Sequence, residues 1–528
     1  MVAVKSIQDS AGKGAGNGAG NGFDDEFDIV IVGYGYAGGI AAIEAHDAGA
    51  RVLLIDKMAN PGGISVCSYG AMRSAHDAGA AFRYLKATSG GRTPDDVLKV
   101  LADGMAGIEP YMRGLARVNG AVVNPRAKVA NYPFDGFDAF YQTLIEEVPN
   151  FDPAAVYPHV RGAPGGARVF RTLEDNIAER DVTIWLSAPA DDLIADRTGG
   201  VTGVVVRRAD GIRRVKARRG VILACGGFEA NEEMKRQYWQ MAPVLSATTN
   251  ANTGDGIRMA QGLGARLWHM WHYHGSYGFQ HPEYPYAIRM KRLPDWLPGR
   301  EQTAVVQMTW IVVDGSGRRY MNECPPYMQD TSHRPMEVMD PVTQSFPRIP
   351  SYVVLDEVGR RRYRIGAPTR NDPHASYEWS EDNMAEVESG LLKSAETVAD
   401  LAALLGMKAG VLEETLARWN AMCGAGGDTD FGRPAGTMMK IQRPPFYAGT
   451  VWPVVSNTQG GPVHDASQRV IDVNDRPIPR LYAAGELGSA FGHLYLSGAN
   501  LAECLVTGRV AGRHAAGRQP WDGEAEAG

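Results

Sequence analysis

The stretch Phe27 to Lys57, FDIVIVGYGYAGGIAAIEAHDAGARVLLIDK, restricts the fold of this chain more than any other. Asp28 is followed by an unbroken apolar run, Ile29 to Val32, the pattern of a strand buried on both faces of a parallel sheet. Gly33, Gly35 and Gly38 then form G-x-G-x-x-G around Tyr36 and Ala37. The first glycine permits a tight turn, the second lets main chain approach a pyrophosphate, and the third lets helix and strand pack closely. Ala41, Ala42, Ile43, Ala45 and Ala48 give the following helix a small apolar face, Gly49 ends it, and Arg51 to Ile55 reads as a second buried strand closing on Asp56. A carboxylate there accepts from ribose hydroxyls. With 63 glycines in the chain the spacing can arise by chance, as a plain glycine-rich turn. The strand before it, the helix after it and the acid ending the next strand reject that alternative. The stretch therefore predicts a bound dinucleotide, FAD or NAD, with its phosphates at a helix N-terminus.

At 528 residues the chain is too long for one core and predicts two or more domains. A net charge of -6 with scattered basic residues argues against a nucleic-acid partner. No stretch reaches the roughly 18 uninterrupted apolar residues of a spanning helix, so no stable membrane insertion and a cytoplasmic location are expected. Cys67, Cys225, Cys324, Cys423 and Cys504 are far apart and form no C-x-x-C pair. That excludes an ordinary zinc ribbon and a cysteine-held iron-sulfur cluster, so electrons must leave to an external acceptor such as a quinone, oxygen or a carrier protein. His269, His272, His274 and His281 have the spacing of a metal cluster, but they lack accompanying carboxylates and read as pocket or surface histidines.

Along the chain, residues 1 to 22 read as a flexible Gly-Ala-Asn tail. Pro61-Gly62-Gly63-Ile64-Ser65 is a loop that can lie flat against a large ligand. Residues 94 to 118, 136 to 148 and 168 to 180 read as helices, and Val201 to Arg207 with Val215 to Ala217 as a hairpin. Val221 to Cys225 is another buried strand running into Gly226-Gly227, and Asp255 opens a helix after Thr253-Gly254. Residues 268 to 300 are crowded with aromatic rings. Leu481 to Glu486 resumes strand character, and Gly498-Ala499-Asn500 begins a final amphipathic helix. The expected fold class is α/β: a Rossmann-type nucleotide-binding domain in two parts, 23 to 275 and 441 to 518, with an inserted α+β cap domain at 276 to 440.

Read together, these pieces resemble the flavoproteins of the fumarate reductase and 3-ketosteroid dehydrogenase superfamily, in order from Phe23 to His514. The resemblance implies FAD, held noncovalently because no histidine stands between Gly62 and Met72, where covalently flavinylated members carry one. It sets FAD against Gly33, Gly35, Tyr36, Ala37, Gly38, Asp56, Lys57, Gly62, Gly63, Ser65, Gly226, Gly227, Asp255, Gly485, Glu486, Ser497, Asn500 and Leu501. After Val313 to Glu323, soluble fumarate reductases place an arginine five residues beyond the Asn that protonates the substrate; this chain has Tyr327 there. Asn322-Glu323-Cys324-Pro325-Pro326-Tyr327 is similar to the ketosteroid dehydrogenase pattern, in which the tyrosine removes a proton beside a ketone. Tyr495, with the Ala499 N–H four residues on, matches that branch's carbonyl-binding pair, although the family's Y-x-G-P-G is here Tyr495-Leu496-Ser497-Gly498-Ala499.

The chemistry so implied is loss of a proton and a hydride from neighbouring carbons of a cyclic ketone. The carbonyl oxygen needs preorganised donors as enolate charge develops, for which Tyr495 and Ala499 are the candidates. A phenol with an ordinary pKa of about 10 is a poor base, so Tyr327 needs help, and Tyr132 is the expected relay partner. Arg289 and Arg292 are candidates to clamp a substrate carboxylate, which favours a small oxo acid such as 4-oxocyclohexanecarboxylate over a 3-ketosteroid. Two other functions remain open: a reductase acting on fumarate-like or enoate acids, and a flavin redox module without chemistry of its own.

Overall fold

The computed structural model describes residues 22–291, 307–325 and 332–522. The apolar strand Asp25–Val32 sits at the centre of an eight-stranded sheet, parallel to Val52–Ile55 on one side and Gly211–Leu223 on the other. Val182–Trp185 and Pro477–Ala483 extend the parallel set outward, so five strands aim their C-terminal ends the same way. In such sheets ligands bind beyond those carboxyl ends. Val201–Arg208 pairs with Gly211–Leu223 as the expected hairpin.

One face of this sheet carries the helices Tyr36–Asp47, Pro164–Ala178 and Ala499–Ala516. The first and last of these approach main chain to main chain. A Cβ at Gly508 would lie 2.6 Å from Ala37 O, and one at Gly512 2.6 Å from Ala41 O. Small residues thus bring both helix N-termini to the same edge of the sheet, and Arg513 and Arg509 fasten the far ends to Glu44.

A second eight-stranded sheet, antiparallel at its core, runs Trp310–Val313, Ser351–Asp356, Phe446–Thr458, Tyr273–Gln280, Ala287–Met290, Gly366–Ala367. It draws on both sides of the boundaries expected at 275/276 and 440/441. Phe446–Thr458 forms one long 13-residue strand that pairs with both the Ser351 and the Tyr273 strands. The chain therefore re-enters the first sheet only after Thr458.

The reading of 136 to 148 as a helix is corrected. Phe140–Glu147 is a strand of a small sheet with Met72–Ala75 and Val122–Ala127, and its first six residues are buried. Aromatic and β-branched side chains buried on both faces suit a covered strand, and pairing overrides the helix-like apolar spacing.

The second domain is pinned by a buried charge network beside the Asn322-Glu323-Cys324 segment. Glu323 accepts from Arg319 Nε at 2.8 Å, Arg433 Nη1 at 3.2 Å and the Val312 N–H at 3.1 Å. Arg319 also holds Asp428 at 2.7 Å, and both guanidinium groups lie over the Trp419 ring. Burial pushes the Asp428 carboxyl up, but the Arg319 hydrogen bond and the Arg433 N–H outweigh it and hold the group at about 2. Because that lies below the unfolded value of about 3.9, the stabilisation is complete above the unfolded pKa and lost as pH falls from about 4 towards 2. Asp428→Asn should cost about 2 kcal/mol at pH 7 in urea unfolding, with the gap from the parent closing near pH 2. A gap that persists unchanged in acid would assign the loss to packing instead.

Candidate active site

A continuous cavity of about 660 Å³ opens at the carboxyl ends of the parallel strands and runs to the second sheet. At one end the turn after the first strand lines it with Gly33, Tyr34 and Gly35, and the end of the next strand adds Asp56. Asp56 accepts from the Tyr34 N–H and the Met58 N–H, both at 2.8 Å, which fixes the carboxylate in the wall. Burial pushes its pKa up, against the pull of those N–H groups and Lys57.

The glycines divide by what a side chain would strike. A Cβ at Gly33 would lie 2.4 Å from Ala224 O, and one at Gly38 1.8 Å from Gly33 O, so both serve strand and helix packing. At Gly35 the nearest atom would be Ser65 Oγ at 3.6 Å. The protein itself leaves room there, so the bare backbone at Gly35 is suited to a ligand. Helix Tyr36–Asp47 has no side-chain cap and no acid in its first turn, and the last helix, beginning at Ala499 behind Gly498, is also uncapped. Two helix N-termini without side-chain caps at one cavity fit a pyrophosphate and an electron-rich ring system.

Other expected cofactor residues fall into two groups. Tyr36, Ala37, Lys57, Gly63, Ser65, Gly226, Asp255, Glu486, Ser497, Asn500 and Leu501 line the cavity. Lys57 and Asp255 meet each other at 2.6 Å, and Lys57 also donates to Thr253 Oγ1 at 2.7 Å. Gly62, Gly227 and Gly485 sit behind the wall. Gly62 and Gly485 turn at φ of +103° and +76°, and a Cβ at Gly227 would strike Thr458 Oγ1 at 1.8 Å. Glu486 is held by the Thr458 N–H at 2.8 Å. Burial and the neighbouring Glu229 push its carboxyl well above the usual range, while burial pushes Glu229 up to about 7.

At the other end the wall is made of Tyr495, Ser497 and Gly498 from the nucleotide-binding domain and His274, Ser276, Arg289, Thr369 and Ser456 from the second. The Tyr495 oxygen accepts from the Gly498 N–H at 3.1 Å. The His274 ring packs on Tyr495 with centroids 4.1 Å apart. Arg289 donates to Ser456 Oγ at 3.1 Å and Thr369 Oγ1 at 3.2 Å, and no carboxylate among the described residues pairs with it. Burial pulls its pKa down. Asn371, from the second domain, donates to Gly63 O at 2.9 Å and ties the two domains across the cavity.

One expectation is overturned here. The Ala499 N–H donates to Leu496 O at 2.8 Å, and Ala499 lies wholly buried behind the wall, so it is not a free carbonyl-binding donor. The unproline-like Leu496-Ser497-Gly498 loop turns back on itself at the helix start, consuming that N–H. Tyr132 is buried among Tyr84 and Phe134 and does not line the cavity. Tyr327 and Arg292 lie outside the described residues. His269 bonds Ser489 O at 2.8 Å, His272 bonds Phe491 O at 2.7 Å and His281 accepts from the Glu283 N–H at 3.1 Å. No three-residue metal group occurs among the described residues. His274 alone of that set enters the cavity, which its spacing with the others did not signal.

A nucleotide cradle that runs into a pocket of aromatic and cationic side chains defines a dinucleotide-dependent oxidoreductase. The chain belongs to the FAD binding domain family, which matches residues 28–501, and FAD is its cofactor. It is 27% identical to a 3-oxosteroid 1-dehydrogenase of Mycobacterium tuberculosis, over 93% of this chain and 98% of that protein. It is 28% identical to a fumarate reductase (cytochrome) of Shewanella frigidimarina, over 93% of this chain and 77% of that one. Its fold matches that of the 3-ketosteroid delta1-dehydrogenase of Sterolibacterium denitrificans, solved with 1,4-androstadiene-3,17-dione, at a TM-score of 0.77 and 24% identity over 93% of this chain and all of that one. Among the described residues no helix is long and apolar enough to cross a membrane.

The ribose assignment is open to a direct check. Asp56→Ala should lower FAD occupancy of the purified protein several-fold without changing its far-ultraviolet circular dichroism. Full occupancy would move the ribose contact elsewhere.

Proposed function

We propose that the protein is an FAD-dependent desaturase that introduces a C=C bond next to the ketone of a ring bearing a carboxylate, such as 4-oxocyclohexanecarboxylate. The observation that carries the reading is that one cavity holds two groups suited to oxygen anions of different kinds: the Tyr495 hydroxyl and the Arg289 guanidinium. A ring with a ketone at one end and a carboxylate at the other engages both. A buried carboxylate needs a cation, since leaving it unpaired costs several kcal/mol, and a neutral steroid needs none.

In this reading Tyr495 donates to the ketone oxygen, polarising it as negative charge develops. Tyr327, acting as the phenolate, takes the proton from the carbon beside the ketone and becomes the neutral phenol. Bound FAD supplies the acceptor for the hydride from the next carbon, and an external acceptor later removes the two electrons. Arg289 fixes the ring through its carboxylate, so that both leaving hydrogens face their partners.

A reductase acting on a fumarate-like acid is the second reading, favoured by the same Arg289 and by the fumarate reductase relative. Tyr327 stands against it, because a neutral phenol protonates a dicarboxylate poorly. Anaerobic mixing of the oxidised holoenzyme with 4-oxocyclohexanecarboxylate, its methyl ester, androst-4-ene-3,17-dione and succinate separates the cases. Rapid loss of flavin absorbance with the oxo acid alone is expected. Equal bleaching by the ester or the steroid would sink the carboxylate, and bleaching by succinate alone would sink the ketone.

A further inference from the structure

We propose that Arg73 is a positioning residue that strengthens Tyr495 as a hydrogen-bond donor by polarising the single peptide unit between Ser497 and Gly498. The inference rests on the ketone reading of the cavity given above.

Arg73 is wholly buried in the strand Met72–Ala75, behind the cavity wall. Among the described residues it has no carboxylate partner; every hydrogen bond it makes goes to a backbone carbonyl. Its Nε donates to Ser497 O at 2.8 Å, and its Nη1 donates to Lys128 O at 2.7 Å and Val129 O at 3.2 Å. Its own N–H donates to Gly498 O at 3.1 Å, and its Nη2 has no hydrogen-bond partner among the described residues. A buried guanidinium satisfied only by neutral groups is costly to fold. Purely structural bracing of a loop does not require a full charge.

The direction of the bonds suggests what the charge does. Ser497 O and the Gly498 N–H belong to one peptide. A cation on its oxygen draws electron density along the amide and makes its N–H a better donor. That N–H donates to the Tyr495 oxygen at 3.1 Å, and in the ketone reading Tyr495, on the cavity wall, in turn donates to the substrate oxygen. Hydrogen bonds in such a chain polarise one another in the same sense. The Asn131 side chain accepts from the Ser497 N–H at 3.1 Å and keeps the loop in register. Burial lowers the Arg73 guanidinium to about 10, still charged at neutral pH, with the Tyr84 and Tyr495 hydroxyls acting in the opposite sense.

The effect of this charge is greatest when the ketone oxygen carries enolate charge, so it belongs in kcat rather than KM. Arg73→Met, Arg73→Gln and Arg73→Lys holoenzymes are compared with the parent on 4-oxocyclohexanecarboxylate. They are also titrated by calorimetry at neutral pH, where Arg73 is charged, with 2,3,5,6-tetrafluoro-4-hydroxybenzoate, whose fluorines leave the phenol ionised at that pH, as an enolate mimic with the same carboxylate. The neutral variants should lose about 10-fold or more in kcat and in affinity for the phenolate, with KM for the ketone acid changed less than about 3-fold. Lysine should restore most of both, because it keeps the charge. Glutamine keeps a donor without the charge, so it stands in for methionine if that variant does not fold. Lysine no better than glutamine, or ketone and phenolate affinities falling together, overturns the proposal while the desaturase reading stands. A parent protein that neither turns over the ketone acid nor binds the phenolate sinks both.

Discussion

Replacing Arg289 by Met should lower kcat/KM for 4-oxocyclohexanecarboxylate by about 1000-fold and leave the methyl ester almost untouched. The size follows from removing one partner of a buried, hydrogen-bonded charge pair, which costs about 2–5 kcal/mol. In the free protein Arg289 is held by two hydroxyls, Ser456 and Thr369, which orient the guanidinium without neutralising it. Its truncation therefore removes no internal ion pair among the described residues, and the fold should tolerate it. The measurement is steady-state turnover of acid and ester by both proteins at low salt. A parallel loss on acid and ester would mean that Arg289 supports the cavity rather than the carboxylate.

Tyr327→Phe should slow anaerobic flavin reduction by the ketone acid about 100-fold or more while FAD content and substrate binding persist, the scale of removing a positioned general base. The residue follows a rigid post: Glu323, buried and held by Arg319, Arg433 and the Val312 N–H, fixes the chain two residues before Pro325. Stopped-flow absorbance at saturating substrate reads the step. Reduction at the parent rate would remove Tyr327 from the chemistry and leave His274, packed on Tyr495, as an alternative proton acceptor on the cavity wall.

Local chemistry explains what was legible beforehand. Ile29 to Val32, the three glycines and Asp56 lie within 28 residues, and their strand, turn and helix preferences all agree, so the strand–turn–helix unit at that end is written in short-range pattern. Phe140–Glu147 shows where pattern fails: its apolar spacing suits a helix, and only the strands on either side make it a sheet. The second sheet crosses the expected domain boundaries for a related reason. Composition changes near residue 276, yet Tyr273–Gln280 and Phe446–Thr458 are neighbours in one sheet, a pairing that composition does not record.

The sequence by itself determined the fold class, the strand, glycine turn and helix of its first unit, and the presence of Tyr495 just before the last helix, because each depends on residues close together in the chain. Tertiary structure alone decided that the Ala499 N–H is spent on Leu496 O and that His274 packs on Tyr495. It also decided that Arg73 reaches Ser497 across 424 residues of sequence. Those outcomes depend on which surfaces dock once two sheets and the helix pair have packed. A buried side chain's partners are chosen by that docking, since the cost of an unpaired polar group is felt only when water has been excluded.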